Sequence, residues 1–195
     1  ESSPFYELRS NINSFIFGKA VQHIPAYLCY DMDSLTNIKI GQNTRSIGNE
    51  AFANCDGLYS ICLPKNINRI GAYAFLDCLN LTSVTCEAVF LPTLKPAVFL
   101  GIPTDSTILY VPEISLEDYQ FAEQWQDFAT ILPIEGTSKS DYKYAEYTIF
   151  SCDYYEWHGE ICPISGDYTY ITTSEDGHLV LETLHLTIER LDFKL

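Results

Sequence analysis

A 23-residue period runs through this 195-residue chain from Phe15 to Cys86, and it constrains the fold more than any other feature. Phe15, Ile38, Ile61 and Val84 fall in one column, and Phe17, Ile40, Leu63 and Cys86 in another. Ile24, Ile47 and Ile70 make a third, and Leu35, Leu58 and Leu81 a fourth, while Phe52 repeats as Phe75 and Cys55 as Cys78. A short turn of chain cannot bury its own apolar face, so columns of this kind predict units that stack on one another. Amino acids 23 places apart are therefore expected to be neighbours in space.

Within each unit the pattern changes once. Leu58-x-x-Ile61-x-Leu63-Pro64 alternates as a short strand with Ile61 and Leu63 inward. Ile70 to Cys78 reads as a tight turn followed by about two turns of helix, with Ala74, Phe75 and Cys78 toward the core. The segments Ile47-Gly48-Asn49-Glu50-Ala51-Phe52-Ala53-Asn54-Cys55 and Ile70 to Cys78 resemble the IG-x-x-AF-x-x-C core of the BspA-like leucine-rich repeats of bacterial surface proteins. That resemblance implies an α/β solenoid, a short right-handed leucine-rich repeat array of about four units with a helical C-terminal cap.

The ends of the array look irregular. Phe5, Leu8 and Ile12 are expected to cover its N-terminal edge, since an open edge would present apolar surface and unpaired strands to water. In the first unit Pro25 stands where Gly48 and Gly71 stand later, and Cys29 replaces Phe52 and Phe75. After Val84 the register slips by one, so that Val98-Phe99 answers Ala74-Phe75, and Ile108 and Tyr110 answer Val84 and Cys86. A helix starting at Ser115, with Ser115 capping Asp118, would carry Leu116, Tyr119, Ala122 and Trp125 along one stripe as a lid. The run from Leu109 to Phe128 is similar to segments that close many BspA-like arrays.

Ile134 to Asp141 has no apolar residue after Ile134 and reads as a linker. The expected organisation is a repeat domain at 1–136, a linker at 137–143 and a small all-β, sandwich-like module at 144–195. Its strands are expected at 144–150, 154–157, 168–173 and 179–188, with turns at His158-Gly159, Ser165-Gly166 and Asp176-Gly177. Cys152 to Gly159, Ser165 to Tyr168 and Leu184 to Ile188 look like a β module of secreted proteins of Bacteroides-type bacteria. The module usually carries a second cysteine where this chain has His178.

Eleven basic and 26 acidic residues give a net charge of −15, which opposes nucleic-acid backbones and anionic membranes. Residues 1–136 hold 7 basic and 15 acidic groups, and 137–195 hold 4 and 11. No Asp-x-Asp-x-Asp-Gly loop is present, so a solvated surface accounts for the acid better than a calcium site. No apolar run reaches the roughly 18 residues that a bilayer requires, so no membrane insertion is expected. The sequence as read from Glu1 contains no signal segment, and the absence of an initiator Met suggests a mature or trimmed form, so export is what the family resemblance and the resemblance of the tail imply.

Four of the seven cysteines, Cys29, Cys55, Cys78 and Cys86, sit in the apolar columns and read as small buried hydrophobes. Cys62 alternates with the inward residues and should face out. Cys152 and Cys162 flank the turn at His158-Gly159, where either a disulfide or two free thiols would suit an exported module. Neither metal nor cofactor is expected, because His23, His158, His178 and His185 are scattered and no phosphate-binding glycine loop occurs. Catalytic motifs built on Gly-x-Ser-x-Gly or His-Glu-x-x-His are absent. Glu156 and Glu160, the one conceivable glycosidase pair, more simply decorate a wet hairpin. Asn80-Leu81-Thr82 fits the glycosylation rule, but its leucine belongs to the ladder.

A binding face is what remains. In a leucine-rich array the strands line a concave surface, and the residues alternating with the inward ones are Ser14, Ile16, Asn37, Lys39, Ser60, Cys62, Ser83 and Thr85. These offer hydrogen bonds but few aromatic or arginine anchors, which favours weak or multivalent contacts. Tyr154, Tyr155, Trp157, Tyr168 and Tyr170 offer stacking surface in the second module, if they stand exposed together. The resemblance implies a non-catalytic extracellular or cell-surface protein that adheres to a host or matrix protein or a glycan. A structural scaffold within a bacterial surface assembly is the alternative, and an enzyme a third.

Overall fold

In the computed structural model, which describes residues 3–138, 142–152, 154–175 and 178–189, the sequence period becomes two ladders of parallel strands. Each unit supplies a front strand and a shorter back strand: β1 (Ser14–Ile16) and β2 (His23–Ile24), β3 (Asn37–Lys39) and β4 (Ser46–Ile47), β5 (Ser60–Leu63) and β6 (Arg69–Ile70), β7 (Ser83–Cys86) and β8 (Thr93–Leu94). Then come β9 (Ile108–Val111), the short helix α1 (Leu116–Phe121) and β10 (Thr130–Pro133). In front, Phe15 lies beside Ile38 and Ile61 beside Val84; behind, Ile24, Ile47, Ile70 and Leu94 follow one another. The chain divides into two compact units, Glu1–Thr137 and Ser138–Leu195.

Where two turns of helix were expected, the chain makes turns. Tyr27, Glu50, Tyr73 and Ala97 all take positive φ, and so do Asp31, Asn54, Asp77 and Gly101 four residues further on. A left-handed residue every fourth position prevents α-helix from propagating. The amides are used elsewhere: those of Glu50, Phe52 and Asn54 donate to the carbonyls of Ala72, Ala74 and Leu76 in the next unit, at 2.8–2.9 Å. The equivalent amides of Tyr27, Cys29 and Asp31 do the same. The turns thus form a third ladder, and the backbone polar groups are satisfied between units instead of within one.

Stacking also explains the residues that mark the repeat. Phe52, Phe75 and Phe99 lie nearly parallel, 5.5 and 5.8 Å apart with both interplanar angles 8°, and Trp125 continues the stack at 5.2 Å from Phe99. Burying one such ring stabilises the fold by roughly 1.5–3 kcal/mol. A Cβ on Gly48 would stand 2.3 Å from the Ala26 nitrogen, and one on Gly71 2.4 Å from the Asn49 nitrogen, so glycine is required by close backbone approach. Their amides donate back to Ile24 and Ile47. Pro25 belongs to the first unit, which has no earlier strand to donate to, so its missing N–H is no loss there. At the N-terminal edge Phe5 and Ile12 pack on the core, whereas Leu8 is exposed.

The C-terminal end of this unit departs from expectation in three places. Val84 pairs with Leu109, not with Ile108, so Leu109 and Val111 point inward, fully buried, and Ile108 and Tyr110 point outward. One residue of register moves a whole strand to its other face. The helix spans only six residues, Ser115 makes no capping bond, and its hydroxyl is buried without a partner among the described residues. Tyr119 is nevertheless buried, its hydroxyl donating to the Ala88 carbonyl at 2.8 Å, while Trp125 lies beyond the helix in a turn. Finally β10 adds a sixth front strand, paired in parallel with β9.

The second unit is a three-stranded sheet with a hairpin. Strand β11 (Tyr142–Ser151) begins two residues earlier than its sequence pattern suggested and takes Tyr142 and Lys143 from the expected linker, of which residues 139–141 lie outside those described. Strands β12 (Tyr155–Trp157) and β13 (Glu160–Cys162) form the hairpin, followed by β14 (Gly166–Thr173) and β15 (Leu179–Ile188). The sheet order is β11-β15-β14, with β11 parallel to β15 and β14 antiparallel to it. Asp176-Gly177 falls outside the described residues. Cys162, Leu184 and Leu186 are buried, with Ile149, Tyr155, Trp157, Tyr168 and Ile188 packed around them.

Candidate functional site

All eight residues expected to project from the front strands do so. Ser14 lies beside Asn37 and Ile16 beside Lys39; Ser60 and Ser83 are paired, as are Cys62 and Thr85. Ser14, Ile16, Asn37, Lys39, Ser60 and Cys62 are exposed, and Ser83 and Thr85 are half-buried. The alternation of the strands produces this, since Phe15, Ile38, Ile61 and Val84 between them turn to the core.

The face is longer than the sequence alone suggested. Ser83 is followed by Ile108 and Thr130, and Thr85 by Tyr110 and Leu132. One column therefore reads Ile16, Lys39, Cys62, Thr85, Tyr110 and Leu132. Ile16 is 68% exposed and Leu132 41%, so apolar groups stand at both ends of a polar middle. Counting residues from Cys86 sets Tyr110 inward, whereas the strand pairing turns it outward beside Thr85. The signal that could have placed it outward is Leu109-Tyr110-Val111-Pro112 itself, whose two aliphatic residues match Ile61-x-Leu63-Pro64 better than Ile108 and Tyr110 do.

Charge on this face is sparse. Glu87, just after β7, accepts a hydrogen bond from Gln42 (Nε2 to Oε2, 3.2 Å) and lies 3.6 Å from the Cys62 sulfur. Desolvation among the strands, and then the Glu87 carboxylate, push the Cys62 thiol up to about 12. It stays protonated at neutral pH and is a poor nucleophile, so its place on the face is one of contact rather than chemistry.

Six copies of the BspA type leucine-rich repeat region match residues 1–124. The chain belongs to this family. Its BspA-type region counts six copies, where the glycine, phenylalanine and cysteine markers alone suggested about four units. No curated protein matches the chain. Membership explains the strand and turn ladders of the first unit and points to interaction between proteins as what such an array does.

Apart from Cys62, the cysteines of the BspA-type region are structural. Cys55 and Cys78 donate to the carbonyls of Cys29 and Phe52, at 3.1 and 3.2 Å, so each thiol ties its unit to the preceding one. Burial pushes Cys29 and Cys78 up to about 12 and Cys86 up to about 11. In the second unit Cys152 and Cys162 are both free, Cys152 exposed and Cys162 buried, which is the second of the two arrangements the sequence left open. The reason is register: Tyr155, not Cys152, stands opposite Cys162 across the hairpin.

Glu156 and Glu160 are exposed on the hairpin. Among the described residues no group of three His, Cys, Asp or Glu side chains is arranged to hold a metal ion, and no helix is long and apolar enough to cross a membrane. Of the aromatic residues, Tyr155, Trp157 and Tyr168 pack on the small core, while Tyr154 and Tyr170 are exposed. Tyr170 is engaged by His158, stacked at 4.1 Å, and the His158 Nε2 lies 2.7 Å from Glu182. Sequence reasoning missed this contact because His158 and Tyr170 belong to different strand systems.

Proposed function

We propose that this chain is a non-catalytic extracellular binding protein whose first unit is a short solenoid. Its front strands recognise a host or matrix protein or a glycan. The observation that supports this reading is the outward column from Ile16 to Leu132, a polar row with an aliphatic group at either end and Tyr110 within it. Tyrosine is a favoured anchor at protein interfaces because it buries much area while keeping a polar tip. Adhesion and a surface or secreted location rest on membership of the BspA-type family, and the resemblance of residues 152–188 to a module of Bacteroides-type secreted proteins agrees with them.

The test is a screen of the whole chain against matrix proteins and mucin glycans, repeated with Asn37, Lys39 and Thr85 replaced together by alanine and separately with Tyr110→Ala. A retained ligand whose binding falls in both variants supports the reading. Retention of no ligand, or of one indifferent to all four residues, removes it. A scaffold within a bacterial surface assembly is a second reading, favoured by the exposed Tyr144 and Phe150 on one face of β11. It predicts capture of a bacterial surface protein that Tyr144→Ser and Phe150→Ser together abolish.

A further inference from the structure

The back ladder carries a feature that the front face does not use. Gly48 and Gly71 occupy equivalent places in successive units, and neither can carry a side chain because a Cβ would collide with the backbone of the preceding unit. Beside these two tightly packed glycines a trough runs along this part of the surface. Its volume is about 240 Å³, and His23, Asn49, Arg69 and Lys95 stand around the two glycines. Among the described residues no carboxylate lines it.

That lining is unusual for a chain with 26 acidic and 11 basic residues. Arg69 and Lys95 are exposed, and among the described residues neither side chain makes an ion pair or hydrogen bond. They come from different units: Arg69 pairs with Thr93 in the back ladder, and Lys95 follows two residues later, its amide held by the Ile70 carbonyl. His23 is fixed at the other end by Ser46, Nδ1 to Oγ 2.7 Å, so one ring nitrogen is occupied and the other remains available. The backbone therefore holds the bases of a guanidinium, an ammonium and an imidazole around one trough.

We propose that this trough binds a single oxyanion, a carboxylate, sulfate or phosphate group carried by a ligand that is otherwise uncharged. The guanidinium offers a planar fork that matches such a group and the ammonium a compact charge. The restriction to one anionic group follows from the charge of the whole chain, which repels a polyanion everywhere outside the trough. The volume admits a group of that size with one attached sugar ring or side chain, not an extended polymer. This site is independent of the front strand face, so either can fail without the other.

The experiment is a titration of the isotopically labelled full chain at low ionic strength, followed by amide chemical shifts. The probes are sodium sulfate, sodium phosphate and sodium glucuronate, with glucose and sodium chloride as controls. Saturable shifts centred on residues 48–49, 71–72 and 95 are expected, with none from glucose and only unsaturating drift from chloride. Arg69→Gln and Lys95→Gln should each weaken binding about tenfold, as loss of one charge-assisted contact does, whereas Lys65→Gln, outside the trough, should leave it unchanged. Saturation by glucuronate alone supports a carboxylated sugar as the source, and equal saturation by all three supports recognition of the oxyanion itself. Absence of saturable shifts overturns the proposal, as does equal weakening by Lys65→Gln, which would mean diffuse attraction. Unchanged amide spectra of the free variants exclude loss of fold as the cause.

Discussion

The two units are both built of short strands, yet they bury their residues in opposite ways. In the first, every inward side chain meets its counterpart from the next unit, and Phe52, Phe75, Leu58, Leu81, Ile47 and Ile70 all lie within about one per cent of complete burial. In the second, one sheet and one hairpin cover a single face, and the buried cluster is Cys162, Leu184 and Leu186, with Tyr142 the one further buried apolar side chain among the described residues. The other face mixes Tyr144 and Phe150 with Glu146, Thr148 and a His185–Asp167 contact of 2.8 Å. The lesson is that repetition lets a 23-residue piece share its core with two neighbours, whereas a module that occurs once must close its core by itself.

The largest effect should come from breaking the ring stack. Phe75→Ala removes the ring between Phe52 and Phe99 and should cost about 3–5 kcal/mol, read as a lower urea midpoint for the first unit. If the stack is only decorative, the loss will be no greater than for an exposed residue such as Tyr59. Leu184→Ala should cost the second unit about 2–4 kcal/mol. With so few buried residues that is enough to unfold it while the ladders persist, visible as early loss of the Trp157 signal ahead of Trp125. A single shared transition in that variant would break the contrast between the two units.

Alkaline pH sharpens the same contrast more gently. The buried thiols of Cys29, Cys78 and Cys86 stay protonated in the folded chain to about 11 or 12, whereas unfolded cysteine ionises near 9.0. Only the unfolded chain loses these protons above pH 9, so stability is complete below that value and falls as pH rises from about 9 toward 11. Each such thiol should cost about 1.4 kcal/mol per pH unit in that window. The first unit should therefore lose more than the second in urea melts between pH 8 and 10.5; an equal loss would count against this account. The smallest effect is expected from replacing Asn37, Lys39 and Thr85 together by alanine, which should shift the first midpoint by less than about 0.5 kcal/mol per site. A large shift would make that row structural instead of a free face.

Reading the chain in order recovers the ladders because equivalent residues recur at a fixed distance. Phe15 beside Ile38, Phe52 on Phe75 and the eight outward strand residues are all consequences of the period, and burial of the column cysteines follows from their places in it. The turn segments did not yield to the same reasoning. Ala74, Phe75 and Cys78 have helical spacing, but Tyr73 and Asp77 adopt left-handed backbone and donate their amides to the next unit. Propensity counts bonds within a segment, and here the bonds run between segments. The hairpin cysteines were undecided for a related reason: ten residues of separation allowed a bridge or two free thiols, and cross-strand register sets Tyr155 opposite Cys162.

What the sequence determined by itself is that units of 23 residues stack, which side chains form the spine and that Gly48 and Gly71 recur. Tertiary structure alone decided what happens where the copies cease to match: Leu109 in place of Ile108 against Val84, Tyr110 turned outward, β10 added as a further front strand, and Arg69 brought beside Lys95 around one trough. The physical reason is that a perfect repeat meets a copy of itself, so position in the unit specifies the neighbour. After an insertion only the hydrogen-bond register specifies it, and a shift of one residue exchanges the buried face for the exposed one.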